Sequence, residues 1–167
     1  MLVEIRHDLD CSGEDYWEKA VLIPKYNERL YAEVLKFPRF ELQEQRDEGD
    51  KVYRRILIEP PLGGLPGPAK KVLGDKMSYL EEGTYDRKTL RYKFKVTPST
   101  LGDKVKVEGE MWCEPRGEGK CTRHVRVNVD VKVFMVGGMI EDKIAADMRD
   151  SYTKAIPFTA EWLKSQG

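Results

Sequence analysis

The sequence is short of several things, and each shortage excludes something. It has no net charge, because 29 Lys and Arg balance 29 Asp and Glu over 167 residues. General nucleic-acid binders carry a basic excess, so nucleic acid is not an expected partner. No apolar run approaches the length of about 18 residues that marks a membrane span, so no transmembrane segment is expected, although a basic subregion leaves room for transient contact with an anionic membrane. The first residues, Met1-Leu2-Val3-Glu4-Ile5-Arg6-His7, lack the apolar stretch of a secretory signal, which points to a cytoplasmic protein. Cysteine is scarce and odd in number, at three: Cys11, Cys113 and Cys121. A disulfide scaffold uses more, in even count, so free thiols are expected.

Reaction motifs are missing too. There is no G-x-S-x-G nucleophile elbow, and no cysteine has an evident histidine partner. The Leu62-Gly63-Gly64-Leu65 stretch lacks the Gly-Lys-Ser/Thr ending of a phosphate loop and the glycine pattern of a dinucleotide site. No cofactor is expected. Cys113, Cys121 and His124 are close in sequence, but zinc needs at least three converging ligands, and His124 has the opposite strand parity to the cysteines. Two buried thiols acting as small hydrophobes is the simpler reading, and no metal site is expected.

What is present is a foldable chain. Apolar residues make up 40% of it and charged residues 35%, a composition that excludes disorder. The length fits one domain spanning residues 1–167, with enough chain for a sizeable core. Residues 2–10 alternate, with Val3, Ile5, His7 and Leu9 on one side, as in a half-buried strand. Ser12 precedes Asp15 by three, resembling a capping box. A helix is expected from Gly13 with Tyr16, Trp17, Ala20 and Val21 on its apolar stripe. Pro24 stops it or restarts it as a second helix to about Leu35.

From Phe37 to Val136 the chain reads as antiparallel strands. Phe40 and Leu42 open one; Val52, Arg54, Ile56 and Ile58 share a face in the next. The Pro60–Pro68 stretch, with Leu62 and Leu65 inside it, is a stiff connection or a lid. A strand follows over about Lys76–Glu82. Then come Leu90-Tyr92-Phe94-Val96, Val105-Val107, and the clearest of all, Val125 to Val133 on alternate positions. Centring a turn on Gly117 sets Val107 against Val127, Val105 against Val129 and Cys113 against Cys121. Folding about Thr97–Lys104 sets Val96 against Val105, Phe94 against Val107 and Tyr92 against Gly109. An aromatic over a strand glycine compensates for the missing side chain. Gly137-Gly138 breaks the strand, and Glu141 and Asp142 suit the first turn of a helix. Ile140, Ile144, Met148, Tyr152 and Ile156 form one stripe of a helix running from about Met139 to Ser165, with a kink expected near Thr153 from Pro157. The expected architecture is α+β: a curved antiparallel sheet of about six or seven strands, two short helices after the first strand, and a long C-terminal helix in its concavity.

This order resembles the helix-grip fold of the START-like superfamily, which includes the birch-pollen allergen, polyketide cyclases and lipid-transfer domains. A closer likeness, to an uncharacterised START-like family, rests on Pro66-Gly67-Pro68 with Lys71-Val72-Leu73-Gly74-Asp75, on Gly137-Gly138-Met139-Ile140-Glu141, and on Glu161-Trp162-Leu163. These motifs are structural and transfer no catalytic residue. The resemblance implies a cavity between sheet and helix, usually apolar, and fold alone does not choose among transporters, sensors, cyclases and adaptors.

Parity and the implied cavity together give candidate site residues: Ile56, Ile58, Tyr79, Tyr92, Phe94, Val107, Val127, Ile144 and Met148 as lining, with His7 and Arg54 as polar anchors. A charge on an inward face is costly unless paired. Arg54 therefore needs a carboxylate, with Glu81 within reach if Tyr79 and Glu81 face inward, or a ligand anion, or a strand-end position from which it snorkels to water. His7 is equally a satisfied core histidine. The outer strand faces, with Arg91, Lys93, Lys95, Lys104, Lys106, Arg126 and Lys132 among Glu108, Glu110 and Asp130, read as a solvated surface of weak ion pairs. The leading expectation is binding or transfer of a hydrophobic or amphipathic, lipid-like small molecule. A cyclase or hydratase using the same cavity and a ligand-free protein-interaction module are the alternatives.

Overall fold

The computed structural model describes residues 1–166. Strand β1 (Leu2–Leu9) leads into α1 (Gly13–Tyr16), which continues as a π-helical turn (Trp17–Val21). Ser12 caps α1 by accepting from the Asp15 amide at 3.1 Å, as its spacing predicts. Pro24 starts α2 (Pro24–Arg29), where its missing N–H costs nothing, and a second π-helical turn (Leu30–Val34) completes the pair of short helices.

Six strands follow: β2 (Arg39–Asp47), β3 (Lys51–Glu59), β4 (Tyr79–Asp86), β5 (Arg91–Pro98), β6 (Val105–Pro115) and β7 (Cys121–Val131). All seven pair antiparallel in the order β1-β7-β6-β5-β4-β3-β2. The chain ends in α4 (Gly137–Gln166), a 30-residue helix that continues through Pro157. This is the helix-grip arrangement.

Several local expectations are corrected. The strand expected at Lys76–Glu82 lies at Tyr79–Asp86. A short helix, α3 (Gly67–Leu73), occupies the end of the proline-rich stretch, with Pro66 before it and Pro68 in its first turn. Gly137 begins the last helix instead of merely ending the strand, so Glu141 lies beyond the first turn, where its carboxylate accepts from the Val131 amide at 3.0 Å.

The meander also slips by two residues. Val107 faces Val129, Val105 faces Val131, and Cys113 faces Arg123 instead of Cys121. Likewise Val96 faces Val107, Phe94 faces Gly109, and Tyr92 faces Met111. Every inward residue stays inward, because a shift of two preserves side-chain parity. The aromatic-over-glycine contact does occur, one strand away: the Tyr92 ring covers Gly83 of β4, and a Cβ there would overlap it.

The short helices pack on the sheet through buried aromatic side chains. Trp17, fully buried, stacks on Tyr85 at 4.1 Å between ring centroids, an arrangement worth about 0.5–1.5 kcal/mol beyond its area. The C-terminal half of α4 rests on the same helices. Trp162 donates its indole N–H to the Lys19 carbonyl at 2.7 Å, and Tyr26 and Thr159 share a buried 2.7 Å hydroxyl contact. The stretch of α4 from its start to its middle is different: Ile140 is buried, but Ile144, Met148 and Tyr152 are only half-buried although they point at the sheet. The charged outer faces pair as expected, with Arg91–Glu110 at 2.9 Å and Arg126–Glu4 at 3.1 Å.

Gly109 marks a tight strand contact in this sheet. A Cβ there would lie 2.6 Å from the Arg126 carbonyl oxygen and 2.8 Å from Cγ2 of Val127. The carbonyl is backbone and cannot swing aside. Gly109→Ala is therefore expected to cost about 1–3 kcal/mol, the usual range for overpacking, read as a lower urea midpoint at unchanged slope. An unshifted midpoint would reject the close approach.

Candidate functional site: a cavity under the C-terminal helix

The half-buried stripe of α4 faces a cavity of about 360 Å³ between helix and sheet. Its wall takes Arg54 and Ile56 from β3, Tyr79 and Glu81 from β4, Tyr92 and Phe94 from β5, Val107 and Met111 from β6, Arg123 and Val127 from β7, and Ile144, Met148 and Tyr152 from α4. Leu30 and Tyr31 enter from the turn after α2, and Pro60, Pro61, Leu62 and Leu65 from the proline-rich connection. That connection thus forms part of the cavity wall, and Gly64 sits beside the Lys143 side chain on α4.

Strand parity brings most of the candidate residues together here. Arg54, Ile56, Tyr79, Tyr92, Phe94, Val107, Val127, Ile144 and Met148 all line the cavity. Ile58 and His7 do not. Ile58 shares the inward face of Ile56 but is fully packed, between Phe40 and Tyr79 in register near the β2 edge. His7 is engaged elsewhere. Its Nδ1 lies 3.1 Å from Arg123 Nη2, and its Nε2 lies 3.3 Å from the Thr153 hydroxyl. An arginine only donates, so Nδ1 accepts and Nε2 carries the proton. His7 is a satisfied structural histidine.

Arg123 is absent from the sequence-based candidates. It is 1% exposed and reaches the cavity wall with both terminal nitrogens engaged. Nη1 donates to the Tyr16 hydroxyl at 3.0 Å, and Nη2 donates to the Tyr152 carbonyl at 3.1 Å besides facing His7. Its signal is present in the sequence, since position 123 shares the parity of Cys121 and Val125.

Arg54 is the other buried cation, 3% exposed. It does not snorkel: it is central in β3, opposite Gly83 in β4 and Gln45 in β2. Its Nε and Nη2 have no hydrogen-bond acceptor among the described residues. Glu81 lies diagonally across from it, opposite Ile56, and turns its carboxyl to Tyr92, whose hydroxyl donates to Oε2 at 2.9 Å. Gly83 makes this possible, because the Tyr92 ring lies flat across it to reach Glu81. The Arg54 guanidinium carbon stands 6.0 Å from the centre of that ring. Burial pushes the Glu81 carboxyl above its ordinary range, while nearby Arg54 and the Tyr92 hydrogen bond pull it back. Burial likewise raises the phenols of Tyr31, Tyr79, Tyr92 and Tyr152, so they stay protonated at neutral pH. The cavity wall therefore carries two buried guanidinium charges, Arg54 and Arg123, a buried carboxyl at Glu81 whose pKa is raised, and several neutral hydroxyls.

The three cysteines are free thiols, Cys113 and Cys121 buried and Cys11 half-buried. His124 lies away from them on the outer face, stacked on Trp112 at 4.9 Å.

Residues 4–163 match the family described as "Protein of unknown function (DUF2505)". No curated protein matches the chain. Among solved structures, the Zhui aromatase/cyclase from Streptomyces sp. R1128 superposes with a TM-score of 0.67 at 11% identity, covering 98% of this chain and 93% of that one. TTHA0849 from Thermus thermophilus gives 0.65 at 17% identity, covering 100% of this chain and 99% of that one. A START superfamily protein from Mycobacterium smegmatis gives 0.53 at 13% identity, with 99% and 95% covered. At these identities the likeness is one of fold, and the fold is START-like.

Two pH effects follow from these surroundings. Burial, and then the Arg123 charge, lower the His7 pKa from its ordinary 6.5. The unfolded chain therefore takes up a proton that folded His7 refuses, and stability falls as pH drops below about 6.5. His7→Gln is expected to flatten this loss, seen as a narrowing gap in melting temperature between pH 7.5 and 5; an equal acid-side loss in both proteins would reject it. Glu81 has the opposite sense. Its raised pKa favours folding below its ordinary 4.5, and that contribution disappears as pH rises through the folded value. Glu81→Gln should gain stability relative to the parent as pH rises from 4.5 toward 8, and a pH-independent difference would count against the assignment.

Proposed function

This chain belongs to DUF2505, the family described as proteins of unknown function, and we propose that it acts as one domain that binds or transfers an apolar or amphipathic small molecule in the cavity under α4. The observation that carries this reading is the half-buried stripe of Ile144, Met148 and Tyr152. These side chains point into the fold and pack against the core, yet stay only half-buried where they border the cavity. A core packed to the usual interior density would leave no such gap. The volume lies near the lower end of small-molecule sites, which suits one compact body or a single chain. The wall is mainly aliphatic and aromatic, as ligand sites usually are. Phe134 and Met135, 89% and 80% exposed between β7 and α4, support brief contact with a membrane during uptake or release.

A second reading, a cyclase- or hydratase-type enzyme, has one observation in its favour. Glu81, Arg54 and the Tyr92 hydroxyl converge in the same cavity, as a general acid or base with a fixed charge would require. The shared fold of the Zhui aromatase/cyclase fits that reading without selecting it.

Native mass spectrometry of the protein, purified without detergent and then incubated with an extract of hydrophobic metabolites, tests the first reading. A discrete adduct of one small molecule per chain is expected, released on denaturation. Ile144→Trp, which fills the space beneath α4, should diminish the adduct while preserving the fold. Only the bare mass in the parent, or an adduct unaffected by the filled cavity, would reject binding at this site.

A further inference from the structure

The cavity contains one cation whose partners are missing, and that asymmetry indicates what should occupy it. Four basic side chains line the wall, and three of them are engaged. Lys143 is paired with Asp147 at 2.6 Å and Lys154 with Asp150 at 2.8 Å. Arg123 has the Tyr16 hydroxyl, the His7 ring nitrogen and the Tyr152 carbonyl, which leaves only its Nε without an acceptor. Among the described residues, Arg54 is the one of the four with two nitrogens, Nε and Nη2, buried without an acceptor.

A guanidinium stays charged at any pH the protein meets, and burying it unpaired is costly. The Tyr92 face at 6.0 Å offers a partial cation–π contact, too distant and one-sided to replace hydrogen bonds. Glu81 is close enough to feel the charge, but its hydrogen bond goes to Tyr92.

The missing partner is therefore an acceptor of negative charge. Nε and Nη2 are covered by protein atoms, so the guanidinium meets the cavity through Nη1, a charged donor that one oxygen of a ligand carboxylate can accept from. The rest of the wall, with Ile56, Phe94, Val127, Ile144 and Met148, accepts an apolar body. We propose that the cavity takes amphipathic monocarboxylates, a single aliphatic or aromatic body ending in one acid group, with Arg54 as the carboxylate anchor. This rests on the reading of the cavity as a ligand site and adds the chemical class.

The test uses three probes sharing one twelve-carbon chain: dodecanoate, dodecanol and dodecyltrimethylammonium, titrated below their micelle concentrations by calorimetry at neutral pH. The acid is expected to bind the parent protein about tenfold or more tightly than the alcohol, as charge-assisted hydrogen bonds allow, and the quaternary ammonium most weakly. Arg54→Met should bring dodecanoate to the level of dodecanol. An acid no better than the alcohol, or an advantage that survives in folded Arg54→Met, would overturn the assignment. If Arg54→Met does not fold, the ranking of the three probes on the parent protein decides by itself. Binding of none of them would bring down the cavity reading as well, whereas equal binding of all three would remove only the anchor.

Discussion

The Arg123 guanidinium, buried on β7, joins three other elements: α1 through the Tyr16 hydroxyl, the neighbouring strand β1 through His7, and the middle of α4 through the Tyr152 carbonyl. All three acceptors are neutral. The charge is also shared with the ring faces of Tyr152 and Tyr16, whose centres lie 4.9 and 5.6 Å from the guanidinium carbon. Breaking one partner of a buried charge costs several kcal/mol, against about 0–1 for each exposed ion pair on the outer faces. The arrangement dictates protonation around it. His7 must stay neutral to accept, and Tyr16 keeps its proton because burial dominates. It also fixes where α4 touches the sheet. The helix is tied down at Tyr152 and packed beyond it at Thr159 and Trp162, so the place left for a gap is beneath its N-terminal half.

Much of this architecture was legible because strands and helices carry different periods. The valines from Val125 to Val131 and the fourfold-spaced stripe from Ile140 to Ile156 announce a sheet and a helix that each need a covering partner. Register was not legible to the same depth. A period of two cannot distinguish Val107 opposite Val127 from Val107 opposite Val129, because both keep the valines inward. The true register depends on the turn between Pro115 and Cys121, where Gly117 and Gly119 both take positive φ, and no alternation records that. The short helix α3 was hidden for a related reason, since its prolines read as loop although one of them occupies a permitted first-turn position.

The site was legible where it follows from parity and obscure where it depends on what a residue touches. Arg54, Tyr92 and Phe94 were found because alternation alone turns them inward. His7 turns inward equally well, but a neighbouring arginine consumes it, and nothing at position 7 announces position 123. Arg123 itself was legible, as the polar member of the Cys121–Val131 inward row, yet a search for apolar residues passes over it. Glu81 was visible only as a conditional partner of Arg54. That it turns to Tyr92 instead depends on Gly83 leaving room for the ring, a three-residue arrangement across two strands that no linear pattern encodes.

The two outer strands of the sheet have a consequence for how the chain is made. β1 and β2 are neighbours in sequence but lie at opposite edges. The strand beside β1 is β7, with Leu2 opposite Asn128 and the terminal ammonium donating to the Val129 carbonyl at 2.7 Å. On the ribosome, β1 is synthesised first and must wait until every other strand, β7 last, has emerged. Contacts of such long sequence separation slow folding, and an unpaired strand with Val3, Ile5 and Leu9 exposed can pair wrongly in the interval. The meander from β2 to β6 can assemble as it emerges, whereas docking of the first strand, and with it the Arg123 clamp that pins α4, belongs to the end of synthesis.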